Sequence, residues 1–136
     1  MSKLYIGWSE VNITPDKKIS LAGQFAERIS QYVEKPLTAT AMAVEAGGEQ
    51  MVLVSVDLVG VACNLVDLVR EKLAANPLGL DPMKVIFAAI HTHTGPVYPE
   101  EQAARQYCQC DTQRGQRILA CCAVTQDKQQ KCGSGV

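Results

Sequence analysis

The sequence lacks a charge excess of either sign: 13 Lys and Arg stand against 14 Asp and Glu in 136 residues. That balance gives no basic stripe for nucleic acid and no polybasic patch for an anionic membrane, so neither is expected as a partner. No run approaches the roughly 18–20 continuous apolar residues of a spanning helix. The opening Met1-Ser-Lys-Leu-Tyr-Ile-Gly-Trp8 has no apolar h-region and no small-residue cleavage site. That points away from a secretory signal and toward the cytoplasm. No Gly-rich phosphate loop, no G-x-S-x-G elbow and no HExxH is present, which sets aside the chemistries those motifs serve. Histidine is nearly absent too: His91 and His93 are the only two.

What is present is an ordinary apolar content of 47%, enough to build a core in one domain. The chain changes character at about residue 98, so residues 1–98 and 99–136 are treated as separate segments. Eight of eleven glutamines and five of six cysteines fall in the second segment. A disulfide framework would need an oxidising compartment, which the N-terminus does not support. Cys108-x-Cys110, Cys121-Cys122 and Cys132 also lack the paired C-x2-C spacing of zinc ribbons. The tail reads as a poorly ordered segment, a zinc or redox appendage, or the product of a shifted frame. The abrupt change of composition favours the last.

The first segment reads as α/β. Apolar positions alternate around Leu4, Ile6, Trp8, Val11 and Ile13, the mark of a strand, and Thr14-Pro15-Asp16 ends it. Residues 20–36 read as loop with one helical turn, bent at Gly23. Leu37–Ala46 and Met51–Leu58 flank Gly47-Gly48, a hairpin signal. Asn64–Ala75 carries Leu65, Leu68, Val69 and Leu73 at helical spacing, with Asn64 as cap and Asp67 at the capping-box position. Lys84–Ile90 is a short apolar run that reads as a buried strand. Strand, helix, strand over 51–90 predicts a βαβ unit with two parallel strands. The fold class is therefore α/β, a mixed sheet with a hairpin and a βαβ unit. Parallel strands end on one side of the sheet, where α/β folds bind ligands. Asp57 and the pair His91 and His93 should converge there.

His91-Thr-His93 is the centre of the chemistry. Residues two apart in an extended segment point the same way, so both imidazoles can address one cation. Histidine is the commonest metal ligand, and zinc accepts it readily. The alternative is two loop histidines with local hydrogen bonds. Asp57, after an apolar run, either orients a histidine from outside the ligand shell or caps its own loop. Asn12-Ile-Thr-Pro15 reads as a turn. Cys63, beside the helix start, lacks a base partner and reads as a buried structural thiol.

Four segments together resemble one family. They are Gly7-Trp-Ser-Glu-Val-Asn-Ile-Thr-Pro15, Pro36-Leu-Thr-Ala-Thr-Ala-Met-Ala-Val44, Val52-Leu-Val-Ser-Val-Asp-Leu-Val-Gly60 and Ala88-Ala-Ile-His-Thr-His-Thr-Gly-Pro96. Their order and spacing are similar to the N-terminal part of the neutral/alkaline non-lysosomal ceramidase family, over about residues 4–98. Thr94 stands where that family usually has serine. The resemblance implies a zinc-dependent hydrolase of amides, with zinc as cofactor and a small-molecule or lipid amide, the N-acyl bond of ceramide in the family, as substrate. It implies that His91 is the first zinc ligand. His93 lines the site near the substrate and is a second candidate for both metal binding and catalysis, with Asp57 beside it. The family completes its zinc with a later histidine, a glutamate and a tyrosine, so the sheet is truncated relative to the family. Little or no turnover is expected from these residues alone. The competing expectation is a non-catalytic α/β module that binds a partner, or itself as a homo-oligomer through uncovered sheet edges.

Overall fold

A computed structural model describes residues 3–75 and 79–97. The reading of 99–136 lies outside the described residues. In chain order the described residues form strands β1 (Leu4–Asn12), β2 (Thr38–Ala46) and β3 (Glu49–Val56), helix α1 (Cys63–Ala75), a short 3-10 helix (Pro82–Lys84) and strand β4 (Val85–Ala89). The four strands form one mixed sheet in the order β1-β2-β3-β4. β1 and β2 are antiparallel, as are β2 and β3, while β3 and β4 run parallel.

The β2–β3 hairpin closes as its turn chemistry dictates. Gly47 and Gly48 have φ of 62° and 87°, and Ala46 pairs with Glu49 across them. A two-residue turn with both φ positive matches the twist of the strands, and only glycine adopts it freely. α1 then carries the chain back to the start of β4. A helix of 13 residues is marginal alone in water. It is held by a stripe one helical turn apart, Leu65, Val69 and Leu73, all buried. That stripe meets Ala39, Ala41, Ala43, Val52, Val54, Val56 and Val85 in one core cluster. Full burial of each aliphatic side chain contributes about 1.5–3 kcal/mol, more than helix propensity alone could supply.

Four local expectations are corrected. α1 begins at Cys63, one residue early. Asn64 Oδ1 accepts from the adjacent Leu65 N at 2.8 Å, inside the first turn rather than capping it. Residues 20–36 hold no helical turn; they fold back through isolated bridges, Ser20 with Ile29 and Leu21 with Pro96. Cys63 is exposed, because it opens the helix on the side away from the Leu65–Val69–Leu73 stripe.

The strand at residues 4–12 is as expected, but its phase is informative. Gly7 and Ser9 face the core, while Leu4, Ile6 and Trp8 face outward at 60%, 40% and 67% exposure. Together with Met42, Met51 and Ile86 they make the outer face of the sheet apolar.

Candidate functional site at the ends of the parallel strands

The parallel register of β3 and β4 brings their carboxyl ends together, with Val56 paired to Ala89. Pairing continues past both strands: Ile90 N donates to Val56 O at 3.1 Å and Thr92 N to Leu58 O at 3.2 Å. The loop after β4 therefore lies along the loop after β3. Gly95 permits the close fit, since a Cβ there would sit 3.2 Å from Asp57 O.

His91 follows at once and has φ of 63°, an uncommon left-handed conformation for a residue with a side chain. Its Nδ1 lies 2.6 Å from Val59 O. A carbonyl can only accept, so Nδ1 carries a proton, and in the neutral ring Nε2 is the nitrogen with the free lone pair. The His93 ring lies 5.1 Å from that of His91, centroid to centroid, at 73°. Both imidazoles are exposed. The expected convergence of the histidines with the end of β3 is present in the fold.

Asp57 sits at the same end but is engaged elsewhere. Its Oδ2 accepts from Thr38 N at 2.7 Å and from Thr38 Oγ1 at 3.0 Å. Among the described residues no hydrogen bond joins Asp57 to either imidazole, and the His91 ring is bonded to the backbone carbonyl of Val59 instead. The antiparallel register explains this. Ala39 pairs with Val56, so Thr38 stands opposite Asp57. The turn at Asn12–Pro15 is also structural: Asn12 Oδ1 accepts from Thr14 N at 2.8 Å, and Thr14 Oγ1 accepts from Leu37 N at 2.8 Å.

A cleft of about 1130 Å³ opens beside the loop, with Arg28, Asp57, Ile90, Thr92 and Thr94 in its wall. Two contributors to the site were not legible in the sequence. Arg28 Nη2 donates to His93 O at 2.5 Å, across 65 residues of chain. Gly23, read only as a bend, lies against the His93 ring. Neither partner is a side-chain pattern, so spacing gave no signal. Among the described residues no group of three His, Cys, Asp or Glu is placed to hold a metal ion.

No protein-family model matches the chain, and no curated protein matches it. The solved structures do give a match in fold. Neutral ceramidase from Pseudomonas aeruginosa superposes with a TM-score of 0.63 at 24% identity, over 71% of this chain and 16% of that one. A ceramidase complexed with C2 gives the same TM-score, identity and coverage. The chain thus shares its fold with part of neutral ceramidase and spans 16% of that enzyme's length.

Proposed function

We propose that this chain supplies the His91–His93 portion of a zinc-dependent amide hydrolase site of the ceramidase kind, acting on a small-molecule or lipid amide. The observation that carries the reading is the bond from His91 Nδ1 to Val59 O at 2.6 Å. A metal-ligating histidine characteristically donates its other ring N–H to a carbonyl or carboxylate, which fixes the tautomer and the ring. The shared fold with neutral ceramidase supports the choice of amide chemistry.

The donor set fits zinc in part. His91 offers Nε2, and the His93 ring stands next to it, the two centroids 5.1 Å apart. A catalytic zinc site takes three protein ligands and an open position. Asp57 is tied to Thr38, so the described residues provide two. Zinc, when bound, supplies Lewis acidity toward a scissile carbonyl. The chain's own part is to hold two imidazoles at the end of a parallel strand pair, beside a cleft with Thr92 and Thr94 in its wall.

Calorimetric zinc titration of the 136-residue chain, beside His91→Ala and His93→Ala, tests this. The expected result is weak, micromolar binding lost in both variants, with little or no amide turnover. Cobalt in place of zinc separates imidazole ligation from thiolate ligation by the tail cysteines, which adds a charge-transfer band. Binding unchanged in both variants overturns the proposal. Nanomolar binding abolished by His91→Ala would show that the chain completes the site itself.

A second reading, a non-catalytic module that binds a partner or itself, is favoured by the outer sheet face. Leu4, Ile6, Trp8, Met42, Met51 and Ile86 all stand exposed there. Contiguous apolar patches of that kind are uncommon on monomers.

A further inference from the structure

The two imidazoles are held by different means. His91 is fixed by a hydrogen bond to the extension of β3. No hydrogen bond to a ring nitrogen of His93 is found among the described residues, so that ring must be set by something else. The segment 19–30 is the element placed to do it. It closes on itself through Leu21 N to Arg28 O and Ser30 N to Ile19 O, both 2.8 Å. It is then fastened to the histidine loop through Ala22 N to Gly95 O and Val97 N to Ser20 O, both 2.9 Å. The result is a bracket whose 20–22 arm pairs with residues 95–97, just after the histidines.

Two residues of the bracket meet His93 directly. Gly23 has φ of 85°, and a Cβ there would fall 2.7 Å from His93 Nδ1 and 2.8 Å from Cδ2, with Cγ also in collision. The ring therefore lies flush on the glycine backbone, in space that any side chain would fill. Arg28 Nη2 donates to the His93 carbonyl at 2.5 Å and to Ala22 O at 3.4 Å, bridging bracket and loop. Arg28 Nε is buried with no hydrogen-bond partner among the described residues.

We infer that Gly23 and Arg28 are positioning residues for the His93 imidazole, Gly23 by setting the plane of the ring and Arg28 by pinning its backbone. This assignment deepens the metal-site reading above and rests on it for its functional meaning. Packing, rather than a hydrogen bond, sets the ring, and so both of its nitrogens stay available to a ligand. One nitrogen of Arg28, Nη2, serves both carbonyls, and the rigid planar guanidinium holds it more firmly than a flexible lysine stem holds an ammonium.

The test uses ring-selective NMR of both histidines in the full chain at fixed pH, without metal, followed by zinc titration. In the parent, cross-relaxation from the His93 ring to the Gly23 α-protons is expected, with those protons displaced by the ring current. Gly23→Ala is expected to abolish the contact and shift the His93 ring signals. Arg28→Met is expected to broaden or double them, and Arg28→Lys to restore a single set in part. The His91 ring signals, anchored on Val59, stay in place in all three. Zinc affinity falls about tenfold or more in Gly23→Ala and Arg28→Met, the usual scale for supports behind a metal ligand. Absence of the Gly23–His93 contact in the parent overturns the assignment. So does a shift of His91 as large as that of His93 in the variants, since it would mark a general loss of structure. Arg28→Met keeps the test decisive where Gly23→Ala does not fold. If the parent binds no zinc through its histidines, the metal-site reading fails, while the ring signals still decide whether the bracket positions His93.

Discussion

Replacing His91 by Gly and by Ala separates its backbone conformation from its hydrogen bond. His91 holds φ of 63°, where a residue with a Cβ is strained by about 1–2 kcal/mol and glycine is not. Its ring also bonds Val59 O at 2.6 Å. An exposed hydrogen bond of that kind contributes about 0.5–1.5 kcal/mol net. His91→Ala loses the bond and keeps the strain, so it is expected to destabilise by about 1 kcal/mol. His91→Gly loses the bond and relieves the strain, so the two effects nearly cancel. The glycine variant should therefore unfold at higher urea concentration than the alanine variant, by about 1 kcal/mol once the slopes are matched. At a helix or strand interior the order is the reverse, with glycine about 0.5–1 kcal/mol worse than alanine. The inversion is diagnostic. If His91→Gly proves as unstable as His91→Ala, or more so, the left-handed assignment is wrong. Both variants should lose zinc binding, which would show strain retained for the sake of an imidazole.

Two further outcomes are expected. Val69→Ala removes two methyl groups from a residue with 0% exposure at the middle of the α1 stripe, so it should cost about 2–3 kcal/mol in urea unfolding; a cost below 1 kcal/mol would mean that α1 does not pack on the sheet as described. The Glu49–Lys84 pair ties the hairpin to the start of β4 at an exposed position, and a hydrogen bond and then the charge of Lys84 hold the Glu49 carboxyl below its ordinary 4.5. A depressed carboxylate pKa adds stability above the unfolded value that is lost as pH falls through the folded one. Glu49→Gln should therefore differ slightly from the parent at neutral pH and converge with it below pH 4.5, with the gap narrowing in high salt. A large, salt-resistant gap would show that the pair is shielded from water.

Much of the fold was legible because local chemistry and global topology agree. Gly47-Gly48 can hardly be anything but a tight hairpin turn between two apolar runs, and Leu65, Val69 and Leu73 leave one face for α1 to bury. That the loop carrying His91 and His93 lies along the end of β3 followed from the parallel pair. The partners within the site were not legible, because they are backbone atoms selected by register. Thr38 claims Asp57 because it stands across from it in the hairpin, and Val59 O reaches His91 because the strands run on side by side. β1 shows another limit. Its apolar residues change phase between Trp8 and Val11, so alternation identified the strand without telling which face was the core. The small residues Gly7 and Ser9 face inward opposite Ala43 and Ala41, a pattern that hydrophobicity alone does not flag.

The outer face and the histidine site are separate features of the same sheet. The register aligns Trp8 with Met42, Met42 with Leu53 and Leu53 with Ile86, an apolar row crossing all four strands. That row crosses the middle of the sheet, on the face opposite the core formed by Val52, Val54 and Val56 with α1. His91 and His93 lie beyond the strand ends, in a loop braced from below by Val59 and from the side by residues 19–30. The residues of the proposed metal site and those of the outer face do not overlap, so His91→Ala tests the first proposal and a charge at Trp8 tests the second.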